Sequence, residues 1–267
     1  MLARARTFGS DVMREGADAW EAGASTVAAL RLAADAGLLR LEVPHSLGGL
    51  GHRSRLKLAI CEALSRVDMA FTFSLINTHN VAARLAQSTT RAYLNTLVPA
   101  LQRGEIFGAT ALSEPNAGSD FAGIKTRATK VAGGWRLDGE KGWITNGSIA
   151  DLFVTYVQTD PEAGWRGIAC FLVDARKEGF TRVAPYSLTG GAAIGAGGFK
   201  LDNYFVDEDD MLGAAGEAFK LAMKSVNGAR VYVAAMCAGM LAASLETAVT
   251  YGSTREAFGK PLIGHQG

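Results

Sequence analysis

This chain of 267 residues has little of what metal or disulfide chemistry requires. Its three cysteines, Cys61, Cys170 and Cys237, are odd in number and far apart, and each sits in an apolar run. That excludes a disulfide framework and predicts buried thiols in a reducing compartment. The four histidines, His45, His52, His79 and His265, have no partner at metal-ligand spacing, so no metal site is expected. Charge of one sign is also missing: 27 basic against 26 acidic residues leave a formal +1. Such a balance gives no field to gather nucleic acid or an anionic membrane surface. No uninterrupted apolar run reaches the roughly 20 residues of a membrane span. The longest, Val231 to Ser244, is rich in Ala and Met and reads as a buried helix. The start, Met-Leu-Ala-Arg-Ala-Arg, is basic, but Asp11, Glu15 and Asp18 follow and no secretory core exists. A soluble, cytoplasmic protein is expected.

What is present is enough apolar content, 48%, to bury a substantial core in about two domains or more. From the N-terminus to about Glu105 the pattern is helical. Ser25 to Leu39 and Ser54 to Val67 carry apolar residues three and four apart, each opened by a serine able to cap. Thr90 to Gln102 also fits a helix, with a bend or break at Pro99. Near Ile106 the character changes to strand-like runs: Trp135 to Leu137, Gly142 to Thr145, Leu152 to Val157, Ile168 to Asp174 and Phe199 to Val206. Asp138-Gly139 reads as a hairpin signal. After Gly213 the helical period returns through Phe219, Met223 and Val226, then Val231 to Val249, and predicts two helices. The expected class is α+β multidomain: a helical domain over 1–105, a central, mostly antiparallel sheet or barrel over 106–213, and the start of a second helical domain over 214–267.

The most informative segment is Ala-Leu-Ser-Glu-Pro-Asn-Ala-Gly-Ser-Asp-Phe-Ala-Gly, residues 111 to 123. Ser113 and Ser119 can donate to an anion or a heterocycle edge, and Ala117 and Gly118 let the backbone approach closely, as a phosphate cradle requires. Farther on, Gly-Trp-Ile-Thr-Asn-Gly, residues 142 to 147, supplies a flat aromatic and a hydroxyl two residues apart. By pattern alone a Trp-x-Thr in a strand is more often core. Metal and nucleic-acid readings have no such support.

Together these segments resemble the acyl-CoA dehydrogenase family. Its first signature runs small, aliphatic, Ser/Thr, Glu, two free positions, small, Gly, Ser/Thr, Asp, two free positions, small, and every constrained position is filled. The resemblance extends upstream through residues 36 to 51, Ala-Gly-Leu-Leu-Arg-Leu-Glu-Val-Pro-His-Ser-Leu-Gly-Gly-Leu-Gly, and downstream through Arg255 to Leu262 and Gln266. It implies a flavoprotein oxidoreductase of fatty acid metabolism that binds FAD. Leu112 and Ser113 would meet the flavin pyrimidine edge, Gly118 and Ser119 the pyrophosphate, and Trp143, Ile144 and Thr145 the ring and N5. Arg255, Phe258 and Gln266 would reach the FAD of a neighbouring subunit, implying a homodimer or homotetramer. Ser119 and Arg230 would contact the acyl-CoA, and an electron-transfer flavoprotein would take the electrons. The resemblance also implies a C-terminal bundle that is incomplete at Gly267.

The catalytic base is not identified. One branch of the family keeps a glutamate before the arginine matching Arg230, where this chain has Ala229. Other members place it later than Gly267. Glu114 lies inside the signature but is expected to be structural, capping a turn or pairing with an arginine, and Asp120 reads as a cap. The run Gly190 to Gly198 fails as a dinucleotide fingerprint, because a strand follows where a helix is needed. It reads as a flexible loop. Phe71 and Phe73 read as core. Two other readings stay open: a flavin monooxygenase or oxidase on the same fold, and an inactive shortened subunit serving as an interaction module.

Overall fold

The computed structural model describes residues 1–52, 54–88 and 90–265. It opens with a helical layer. α1 (Leu2–Phe8) passes through a π turn, Gly9–Met13, into α2 (Arg14–Glu21), and α3 (Val27–Asp35), α4 (Ser54–Ser65), α5 (Met69–Leu85) and α6 (Val98–Gln102) follow. Ser25 Oγ accepts the Val27 amide at the mouth of α3. Pro99 lies in a helical run continuous over residues 91–102, and the irregularity expected there is the π turn Tyr93–Leu97 just ahead of it, where the ring and the missing N–H are accommodated. α5, capped by Asp68 Oδ1 on the Phe71 amide, matches none of the periodic segments in the sequence. It is enclosed on several sides by the rest of the chain, so it carries no single apolar stripe.

The middle of the chain forms an eight-stranded sheet. Its strands are β1 (Gly108–Ala111), β2 (Arg127–Val131), β3 (Gly134–Ile144), β4 (Leu152–Gln158), β5 (Ile168–Asp174), β6 (Phe180–Arg182), β7 (Gly197–Asp207) and β8 (Met211–Gly213). The order is β6-β7-β3-β2-β4-β5-β8, with β1 parallel on β4. All other neighbours are antiparallel except the short β2–β4 contact. β4 is buried along its whole length. Alternation sends Leu152, Val154 and Tyr156 against Val81 and Leu85 of α5, and Phe153 and Val157 against Phe171 and Phe199 in the sheet's own core. β4 is thus the wall that joins the helical layer to the sheet.

Asp138-Gly139 is not a hairpin turn. The β2–β3 reversal occurs at Ala132-Gly133, with Val131 opposite Gly134 and Gly133 at φ 77°. Asp138 and Gly139 lie inside β3, which unites the two short strands expected there, at a register shift against β7. Asp138 Oδ1 accepts the Asn203 amide at 2.7 Å, and a Cβ on Gly139 would meet Thr126 at 2.7 Å. The Asp-Gly chemistry serves a bulge instead of a turn.

Past Gly213 a single helix, α7 (Ala218–Thr254, 37 residues), replaces the two that were expected. Gly228 is carried inside it, since an interior glycine costs only about 1 kcal/mol, too little to break a packed helix. The segment Val231 to Ser244 is also far less buried than expected: Val231 is 54% and Leu241 64% exposed. Only Ala218, Ala222, Met236 and Gly239 of α7 are buried. Apolar residues surround the helix, so their spacing does not say which face is covered. By length and composition α7 is also long and apolar enough to cross a membrane. Here it lies along α4, with Arg66 paired to Glu246. A two-stranded hairpin follows, β9 (Glu256–Ala257) and β10 (Lys260–Pro261), turning through Phe258 and Gly259 at φ 53° and 76°.

A Cβ on Gly239 would stand 2.1 Å from the Glu62 carbonyl oxygen of α4, whereas nothing lies within 4 Å of one on Gly228. Gly239→Ala is expected to cost about 2 kcal/mol through overpacking. Gly228→Ala is expected to gain up to about 1 kcal/mol from helix propensity. Urea unfolding midpoints of the two variants check this; shifts of the same sign would refute the packing of α7 on α4.

Candidate functional site

The loop after β1 is anchored by a buried ion pair. Glu114 Oε1 accepts Lys141 Nζ of β3 at 2.9 Å and the Thr126 amide at 2.9 Å, and Oε2 accepts the Lys125 amide at 2.7 Å. Burial opposes ionisation of Glu114, but Lys141 and the amides hold its carboxyl below the usual range. Burial likewise pushes the Lys141 ammonium down to about 8 against the pull of Glu114. Of the two roles expected of Glu114, it caps the turn at Lys125 and Thr126, and its ionic partner is a lysine in place of an arginine. With both oxygens committed, Glu114 is an anchor and is not placed to take a substrate proton. Asp120 departs from its expected capping role: its side chain makes no cap bond, and only its carbonyl accepts the Gly123 amide.

This anchor brings the two sequence segments together. Lys141 Nζ also donates to the Leu112 carbonyl at 3.1 Å, and the Gly142 amide donates to the Ser113 carbonyl at 3.1 Å. Gly142 is tightly placed, since a Cβ would stand 3.1 Å from the Tyr186 hydroxyl and 3.4 Å from Pro115. Trp143 is 61% exposed, at φ 59°, with its ring 4.5 Å from that of Tyr186. A bulky residue in the left-handed region is strained, and such strain gathers at functional sites. Ile144 is buried in the sheet core. Thr145 is half-buried, and its carbonyl accepts Asn77 Nδ2 at 3.2 Å. Gly118 and Ser119 are exposed, and nothing lies within 4 Å of a Cβ on Gly118. An uncovered aromatic face, open small residues and free hydroxyls on one rim fit a flat heterocycle carrying phosphates.

Sequence reasoning missed the residues that hold this rim. Asn146, buried at φ 62°, takes Ser74 Oγ at 2.5 Å and gives Nδ2 to the Ser74 and Gly108 carbonyls at 2.9 and 3.2 Å. It thereby ties the end of β3 to α5 and β1. The available signal was Thr-Asn-Gly itself, a turn sequence that tolerates positive φ. Residues 190–198 differ from the flexible loop expected of them. Ala193 is buried, the Asn146 and Ser148 amides donate to Ile194 and Gly195, and Glu21 Oε2 accepts the Gly191 and Ala192 amides at 2.9 and 3.1 Å.

Beside the rim lies a cavity of about 500 Å³ between α4, α5, β1, β4 and α7. Thr110 of its lining precedes Leu112 by two positions, so both fall on one side of the extended chain. Ala229 lines the cavity with Leu221, Ser225 and Tyr232 on one face of α7. Arg230 points elsewhere: it is exposed and donates to Asn227 Oδ1 at 2.9 Å. Phe71 is core, and Phe73 packs edge-on to Tyr232, its ring centroid 6.2 Å away. Neither is among the lining residues. Arg255 and the 98% exposed Phe258 sit beyond the far end of α7. That is about 36 Å along the axis from Arg230 at 1.5 Å per residue. Gln266 lies outside the described residues.

Glu42 is the one carboxylate among the described residues of the cavity lining. Its Oε2 accepts Lys57 Nζ at 2.8 Å and lies 3.3 Å from His79 Nε2. Burial works against its ionisation, yet His79 and Lys57 bring the carboxyl down from 4.5 to about 2. A folded-state value below the unfolded one means a contribution fully present above pH 4.5 and lost as pH falls through about 2. It amounts to no more than about 3 kcal/mol. The stability gap between the protein and Glu42→Gln is therefore expected to close between pH 5 and 2, as read from urea midpoints; a constant gap would contradict it.

Three family descriptions match the chain in succession: acyl-CoA dehydrogenase N-terminal domain over residues 1–105, middle domain over 109–204 and C-terminal domain over 216–267. Among curated proteins, an acyl-CoA dehydrogenase of Bacillus subtilis (strain 168) is 33% identical over 232 residues, 86% of this chain and 61% of the relative. The chain thus spans less than two thirds of that relative's length. Butyryl-CoA dehydrogenase from Megasphaera elsdenii superposes with a TM-score of 0.92 at 29% identity, over 98% of this chain and 70% of that one. The FAD complex of PigA superposes at 0.91 and 25% identity, over 99% and 70%.

Proposed function

Because the chain belongs to the acyl-CoA dehydrogenase family, we propose that it binds FAD and oxidises the α,β bond of an acyl-CoA thioester. The observation that carries this reading is the rim itself: Trp143, uncovered and at positive φ, beside Gly118, Ser119 and the half-buried Ser113 and Thr145. A solved neighbour holding FAD supports the same cofactor. Bound flavin would supply the hydride acceptor. This chain's own part is to seat it. Leu112 and Ser113 present one edge of the loop, Gly118 and Ser119 leave amides and a hydroxyl for the pyrophosphate, Trp143 covers a face, and Ile144 and Thr145 offer backbone and hydroxyl. The cavity adjoining Thr110 is the proposed acyl site, where apolar Leu221, Val81 and Val154 exclude water.

Proton abstraction needs a base near the operating pH. Glu114 is fully engaged, and Glu42 is held in a pair with Lys57 and beside His79. We assign neither, and leave Arg230, exposed and turned from the cavity, at most a contact with the outer part of the thioester. Arg255, Phe258 and Gln266 are proposed to complete the cofactor site of a second subunit, as the family resemblance implies; the 98% exposed Phe258 is free to meet a neighbour. An electron-transfer flavoprotein is the proposed acceptor, and a soluble, cytoplasmic setting the proposed location.

The test is an anaerobic visible spectrum of the purified protein before and after a panel of acyl-CoA thioesters. A flavin band bleached by one thioester class is expected; a flavin band that none bleaches would sink the proposed chemistry. Rapid oxygen consumption by the reduced flavin would instead favour the oxidase reading. Trp143→Ala is expected to lower flavin retention about tenfold or more without unfolding the sheet, because its side chain is mostly outside the core. Ala229→Glu places a carboxylate on the cavity wall, and bleaching is expected to speed up at least tenfold where no other base acts; an unchanged rate would place the base elsewhere.

A further inference from the structure

The cavity wall carries a charged cluster that the reaction does not use. Lys57, with its side chain only 10% exposed, donates to Glu42 Oε2 at 2.8 Å and to Asn80 Oδ1 at 2.7 Å. Its ammonium lies 5.2 Å from the centre of the Tyr232 ring, and Asn80 Nδ2 donates to the Tyr232 hydroxyl at 3.3 Å. Glu42, Lys57, Asn80 and Tyr232 all line the cavity. Each link comes from a different element: the loop after α3, then α4, α5 and α7.

The valences left over are specific. Lys57 has a third N–H and Tyr232 an O–H with no acceptor among the described residues, and Glu42 Oε1 has no donor. Two donors and one acceptor therefore face the same space. A saturated acyl end pressed against this wall would strip water from an ion pair and offer nothing in return, which is costly. A carboxylate would gain Lys57 but set its charge beside that of Glu42, whose Oε1 it cannot satisfy because it has no proton to donate. A hydroxyl satisfies all three groups, since its oxygen can accept from both Lys57 and Tyr232 while its hydrogen is donated to Glu42. The remaining cations of the lining, Arg84 and Lys224, stand one turn on along α5 and two turns back along α7. Arg84 donates to the Leu212 carbonyl ahead of α7, at the other end of the cavity.

We propose that Lys57, Glu42, Asn80 and Tyr232 form a specificity wall that selects thioesters whose acyl group carries a hydroxyl where it meets Lys57. This rests on the cavity being the acyl site, as argued above. Tyr232 and Lys57 act on affinity and need not touch the reacting carbons.

The experiment is anaerobic titration calorimetry of the purified protein with three series of CoA thioesters matched in length: alkyl, hydroxyl-bearing and carboxylate-bearing. In at least one length, the hydroxyl compound is expected to bind about tenfold or more tighter than both others, because an analogue that leaves buried polar groups unpaired is rejected. Tyr232→Phe, which keeps the ring and its packing, is expected to narrow that preference severalfold. The pair replacement Glu42→Gln with Lys57→Met, checked for folding by its thermal melt, is expected to reverse it toward the alkyl series. Alkyl or carboxylate compounds binding best, or a preference unmoved in folded variants, would overturn the specificity wall while leaving the thioester reading intact. No binding by any thioester would overturn both.

Discussion

The arrangement of the site depends on one buried ion pair, Glu114 with Lys141. A loop rich in small residues has no conformation of its own, and its motif would be a list of residues without a place. The pair fixes it from within, because a charge removed from water must keep its partner. Glu114 spends its remaining lone pairs on the amides of Lys125 and Thr126, and Lys141 spends a hydrogen on the Leu112 carbonyl. Both segments singled out in the sequence are thereby set beside one another, with Ser113 bonded through its carbonyl to Gly142. The residue that follows, Trp143, is left in a conformation that a free strand would abandon.

A second constraint sets the cavity. β4 is buried on both faces, so it presents Val154 and Tyr156 to the helical layer while Phe153 and Val157 fill the sheet. α5 lies on that face, and α7 crosses to α4 at a point where Gly239 lets backbone meet backbone. The space among these elements is where Ala229 and Tyr232 of α7 face Lys57 of α4 and Asn80 of α5. Packing thus brings residues scattered over nearly two hundred positions to one wall, and mixes an apolar lining with an ion pair.

Much of this was legible in advance, for physical reasons. Helical and strand periods separate cleanly because the N-terminal helices and the sheet each bury one set of positions, and the fold class followed from that. The loop around Ser113 and Gly118 was legible because its residues fill every constrained position of a family signature. What was not legible has equally definite causes. Asp138-Gly139 satisfies a bulge as well as a turn, and only the Asn203 amide decides between them. α7 is apolar around its whole circumference, so its pattern could reveal neither its unbroken length nor its exposure. Asn146, which ties three elements together, reads locally as an ordinary turn residue. Nothing in the local sequence around Arg230 shows that Asn227 draws the guanidinium outward.

The sequence by itself determined the class of elements, the family and the residue types available for chemistry, because periodicity and a dense local motif are properties of neighbours along the chain. Only the tertiary structure decided the rest: that Glu114 is an anchor and no base, that Ala229 faces the cavity while Arg230 does not, and that Lys57 and Glu42 stand on its wall. Those facts depend on desolvation and on contacts between distant segments, such as Glu42 with His79 and Asn80 with Tyr232, and no spacing along the chain encodes them.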